Sequence, residues 1–108
     1  MYRNHAKQPG VAITNDIDTC TAVSFSNWAG GLILFPDDCD QTEIAIYVAE
    51  DADGTFTLLY DTGGNAIDEI PVAASRAVPI PDEAFGAGSV KFLGDNANSV
   101  DVIVSLKG

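Results

Sequence analysis

The sequence predicts an all-β protein: a single antiparallel β-sandwich or jelly-roll of about eight short strands over residues 11–108, preceded by a short polar arm over residues 1–10. Three observations predict it. No window of eleven or more residues repeats apolar side chains at i, i+3, i+4 and i+7, so the chain encodes no long amphipathic helix. The apolar residues fall instead in brief alternating or continuous runs, each closed by Gly, Asn, Asp or Pro. A chain of 108 residues with 46% hydrophobic side chains can bury about 65% of its surface, enough for one core and too little for two.

The elements follow in order. Val11 to Thr14 is a first apolar run, closed by the turn pair Asn15-Asp16. Thr21 to Phe25 alternates, with Val23 and Phe25 against Thr21 and Ser24. Asn27-Trp28-Ala29-Gly30-Gly31 reads as a turn, and Leu32 to Phe35 as a buried strand that Pro36 ends. Glu43 to Ala49 is the clearest strand, with Ile44, Ile46 and Val48 on one face. The loop Glu50 to Thr55 then returns the chain into Phe56 to Tyr60, and Gly54 is expected to supply a positive φ there. Asp61 to Asn65 is a second turn, followed by strands at Ala66 to Val72 and Arg76 to Ile80. Pro81-Asp82-Glu83-Ala84-Phe85-Gly86 starts like a helix but is too short for more than one turn, and is expected to carry Phe85 into the core. Val90 to Leu93 and Val100 to Leu106 complete the set. The last run lies in a sheet centre, or else Ile103 is exposed.

Charge narrows the function classes. Sixteen acidic and five basic side chains give a net charge of −11. Nucleic-acid binding needs clustered Lys and Arg, and an anionic membrane surface repels such a chain, so neither is an expected partner. The distribution is uneven. Arg3 and Lys7 precede every acid, and from Asp16 to Glu69 there are twelve acids and no Lys or Arg. Met1 to Gly10 carries no apolar stretch of the secretory kind, so the expectation is a protein made and assembled in a cytoplasm. Cys20 and Cys39 are too few for a disulfide scaffold; free, buried thiols are the first reading, and their separation also permits a bridge, which the sequence leaves open.

The chain offers little for catalysis. His5 is the only histidine and precedes the first apolar run, a poor place to hold a base beside a nucleophile. There is no phosphate-binding glycine loop and no cysteine pair at zinc spacing, so no enzyme and no cofactor are expected. The one cation pattern is Asp51-Ala52-Asp53-Gly54. Asp51 and Asp53 resemble the opening of a calcium loop without its third oxygen ligand or closing glutamate, and a plain hairpin turn is the simpler reading. Trp28 in its glycine-flanked loop is a core plug or an interface anchor, with a sugar platform as the other reading, and Tyr47 and Tyr60 could face outward. Tyr2, Arg3 and Lys7 make the arm a candidate strap that could add a strand to a neighbour's sheet edge.

One stretch resembles a known family. Ile46 to Asp61 forms a strand, an Asp-Gly turn, an aromatic and the run Leu59-Tyr60-Asp61. Ala74 to Pro81, Phe85-Gly86 and Val90 to Leu93 follow it. In this order the pattern resembles the small β-sandwich head decoration (cement) proteins of tailed bacteriophages, over roughly residues 44 to 106. Similar segments occur in carbohydrate-binding jelly-rolls. The resemblance implies a virion structural protein on the capsid exterior. Its partner would be the major capsid protein, and it would form a homo-oligomer, with a trimer the first expectation. The alternatives are a carbohydrate-binding or fibre/adhesin module, or a collar or tail component.

Overall fold

The computed structural model describes residues 5–108, and among these it contains nine β-strands, two short 3₁₀ turns and no α-helix. The strands form two antiparallel sheets. Sheet 1 holds β1 (His5–Ile13), β9 (Val100–Lys107), β3 (Gly30–Leu34) and β7 (Ala77–Pro79), in that spatial order. Sheet 2 holds β2 (Val23–Ser24), β8 (Ser89–Gly94), β4 (Glu43–Ala49) and β5 (Thr57–Leu58), with β6 (Ile70–Pro71) also paired to β4. The all-β, two-sheet expectation therefore holds.

The core lies between the sheets because period-2 alternation sends every second side chain inward. Val11, Ile13, Ile33, Val102, Val104 and Leu106 come from sheet 1, and Val23, Ile44, Ile46, Val90 and Phe92 from sheet 2. Phe25, beyond the end of β2, is the hub. It stacks on Phe85 with ring centroids 4.5 Å apart and meets Phe92 at 6.4 Å. Phe85 arrives on the 3₁₀ turn Asp82–Gly86, as the Pro-Asp-Glu start predicts.

Several expectations are revised. The first strand begins well inside the expected arm. His5 to Gln8 pairs with Val104 to Lys107 of the same chain, so this segment is part of the sandwich body, with only its outer edge unpaired among the described residues. Its polarity hid it, since an edge strand can satisfy its ladder through backbone groups alone. Tyr2 and Arg3 lie outside the described residues. A bulge between Gln8 and Val11 sets two residues against Ile103, and Gly10 takes φ +68° there. Gly54 has no positive φ. Its amide donates to the Asp51 carbonyl at 3.2 Å. A Cβ at that position would stand 3.3 Å from the same oxygen, so glycine serves close approach instead. Ala66 to Val72 is not one strand: only Ile70–Pro71 pairs with β4, and a single bridge joins Tyr60 to Ala66. Finally, β9 does lie in the middle of sheet 1, yet Ile103 is still 38% exposed, because no other element among the described residues lies over the outer face of that sheet.

One end of the sandwich is fixed by a buried amide. Gln41 is 2% exposed. Its Nε2 donates to the carbonyls of Asn96 and Asn98, each at 2.9 Å, and its Oε1 accepts from the Asn96 amide at 2.9 Å. The adjoining Asp95 carboxylate accepts from the Thr42 hydroxyl and from the Thr42 amide at 2.9 Å. These donors, the hydroxyl first, hold the Asp95 carboxyl below the usual carboxylate range. The β8–β9 loop is thus tied to the segment before β4.

Candidate interaction surfaces

The most distinctive surface is the outer face of sheet 1. Residues directly opposite in antiparallel strands share a face, so the register defines its rows. One row runs Lys7, Ser105, Leu32, Pro79. The next runs Ile103, Leu34, Ala77 beside the β1 bulge. Ala12 and Asp101 lie beyond one end, and His5, Lys107 and Gly30 beyond the other. Leu32 at 42% and Ile103 at 38% are two of the three exposed large hydrophobic side chains among the described residues. The Lys107 stem lies over Gly30, where an added Cβ would meet Lys107 Cε at 3.4 Å. A groove of about 400 Å³ opens at this end, lined by Leu32, Pro79, Asp82 and Lys107 among others.

The sequence-named residues distribute as follows. Lys7 faces outward on this sheet beside Ser105. Trp28 is half-buried and packs against the core, after a bend in which Asn27 takes φ +72° and the Trp28 amide donates to the Phe25 carbonyl at 3.1 Å. Asp51 and Asp53 sit in the β4–β5 loop, remote from sheet 1 in the ladder. Asp51 Oδ1 accepts from the Asp53 amide at 3.0 Å, which is an Asx turn. Among the described residues no group of three or more His, Cys, Asp or Glu side chains is arranged to hold a metal ion. His5 is exposed on β1 opposite Lys107. Cys20 and Cys39 are both free, and burial pushes the Cys39 thiol up, so it stays protonated near neutrality.

Sheet 2 offers different chemistry. Tyr47 lines a groove of about 270 Å³ together with Glu43, Leu58, Asp68 and Asp95. Lys91, the one cation on this face of β8, is engaged: its Nζ donates to the Ile17 carbonyl at 3.0 Å and lies 4.8 Å from the Phe56 ring centroid. Tyr60 is 56% exposed. No helix among the described residues is long and apolar enough to cross a membrane.

The sequence pattern reads Leu32 and Leu34 as buried, whereas the structure places both on this outer face; Ile103, expected to be exposed only if its strand lay off the sheet centre, is exposed in a central strand. A faint signal was present, for Ile103 falls in the polar phase of an otherwise regular alternation. Comparison with protein-family models, curated proteins and solved structures found no match to the chain.

Proposed function

We propose that the chain is a non-enzymatic virion structural protein that binds the outer surface of a tailed-phage capsid and stabilises the shell. The observation that supports this best is the strand order. Counted as one interrupted strand, β5 and β6 give eight strands in two sheets, 1-8-3-6 and 2-7-4-5. The first then pairs with the last, the second with the seventh, the third with the sixth and the fourth with the fifth. A long double ribbon wrapped on itself produces that order, and it supports a jelly-roll, an architecture shared by viral capsid and lectin domains. The resemblance over residues 44 to 106 favours the virion branch. A small rigid body of this kind gains its effect by mass action, because each copy binds only the assembled shell.

The test is rebinding. Purified protein added at micromolar concentration to shells stripped of it is expected to bind and to raise their melting temperature. Absence of binding overturns the reading. Peptide mass spectrometry of intact particles separates the virion roles: hundreds of copies fit decoration, whereas about a dozen fit a collar or tail. The second reading is a carbohydrate-binding module, favoured by Tyr47 beside Glu43 and Asp68 in a sheet-2 groove. A glycan-dependent rise in melting temperature that Tyr47→Ala removes would select it.

A further inference from the structure

We infer that the outer face of sheet 1 is a two-fold interface between two copies of this chain. The face carries an apolar centre that no other described residue covers, with Leu32 and Ile103 on adjacent strands of one sheet. Scattered exposed apolar side chains need no explanation, but a contiguous strip on a sheet face marks a contact.

The charge pattern names the occupant. Along β9 the outward side chains read Asp101, Ile103, Ser105, Lys107: an acid, two uncharged residues, a base. Reversed, this row is its own complement. A two-fold axis lying in the interface, perpendicular to the strands and passing between Ile103 and Ser105, sets Asp101 of each copy against Lys107 of the other. The same operation places Leu32 on Leu34 and Pro79 on Ala77, because these residues hold matching positions about that point in β3 and β7. The pairing must come from a second copy. Within one chain Asp101 and Lys107 stand about 20 Å apart along the strand, beyond the reach of an ion pair.

The size sets the strength. Four strands at their usual spacing and six or seven residues of length cover roughly 400 Å² per copy, half that of a standard interface. An interface this small forms a weak, transient pair. Each copy also carries −11, so added salt screens the long-range repulsion and strengthens the pair up to about 0.15 M. The inference does not rest on the capsid reading; shell rebinding and self-association are separate measurements, and either can fail alone.

The experiment is sedimentation of the full chain up to about 0.5 mM protein in ~0.15 M salt. A monomer–dimer equilibrium is expected. Leu32→Glu with Ile103→Glu is expected to leave only monomer; both side chains are more than a third exposed, so the fold is retained, and circular dichroism checks that it is. Asp101→Lys or Lys107→Asp alone weakens the dimer about tenfold or more, because each substitution occurs twice in the pair. Asp101→Lys with Lys107→Asp together restores it. A monomer at the highest concentration, a trimer, a dimer indifferent to the glutamates, or a double reversal that fails to rescue would each overturn the inference.

Discussion

Replacing Gln41 with leucine keeps the buried volume and removes every polar contact of the clamp that closes one end of the sandwich. In the native protein the side-chain amide satisfies the Asn96 amide and the carbonyls of Asn96 and Asn98, with a longer contact to the Ile13 carbonyl at 3.4 Å. A buried group left without its partner costs about 1–3 kcal/mol, and the loop carbonyls can recover part of this from water. The expected loss is about 3 kcal/mol, a large share of the roughly 5–15 kcal/mol that holds a domain of this size. At about 4 °C per kcal/mol the melting temperature falls by ~12 °C. Calorimetry reads that fall, and urea unfolding should give a lower midpoint with an unchanged slope. A second substitution checks the geometry. A Cβ on Gly94 would fall within van der Waals contact of Gln41 Oε1, so Gly94→Ala destabilises the native protein. It should cost at least ~1 kcal/mol less in a Gln41→Ala background, because the clashing atom is gone. A melting temperature within ~3 °C of native for Gln41→Leu, or strict additivity of the pair, would refute the reasoning.

Other outcomes follow from the same contacts. Phe85→Ala removes the ring stacked on Phe25 and is expected to cost about 2–3 kcal/mol, read by chemical denaturation. The Asp95 carboxyl is held low by Thr42, so its contribution is present above the ordinary carboxylate range near pH 4 and is lost as pH falls through the lower folded value. Asp95→Asn should therefore lower the urea midpoint at neutral pH and narrow its fall on acidification; an unchanged pH profile would count against the assignment. Deleting residues 1–10 removes His5 to Gly10, most of β1, and should cut the melting temperature sharply, read by calorimetry. Calcium at about 1 mM, or EDTA, is expected to leave the melting temperature unchanged, and a calcium-dependent rise abolished by Asp53→Ala would restore Asp51 and Asp53 as ligands.

What the sequence revealed and what it hid divide along physical lines. Strand β4 was plain because Ile44, Ile46 and Val48 alternate cleanly, and the 3₁₀ turn because Pro81, Asp82 and Glu83 carry helix-start chemistry. The polar half of β1 was not plain: Lys7 and Gln8 pair through their backbones with residues almost a hundred positions away, and no local pattern encodes such a partner. Gln41 carries no local sequence signal of its burial. Its burial depends on the Asp95–Asn98 loop folding back over it, which is set by the β8–β9 connection. The candidate interface shows the same division. Ile103 stood out of phase in its strand, but that Leu32 and Leu34 lie beside it on one open face depends on β3 pairing with β9, and the sheet order alone supplies that.

The central place of β9 in sheet 1 governs how the chain can be born. Every neighbour of β9 lies far upstream, and β1 has no other strand beside it. Sheet 2 has a local hairpin in β4 and β5, so it can begin to form while synthesis continues. Sheet 1 cannot close until β9 has left the ribosome. Pairings of such long sequence separation then zip in milliseconds to seconds. Until they do, the inner faces of β1 and β3 stay open, Val11, Ile13 and Ile33 among them. A chain cut short before Val100 would carry that exposed apolar surface permanently, and aggregation or proteolysis, not a partly working protein, is its expected fate.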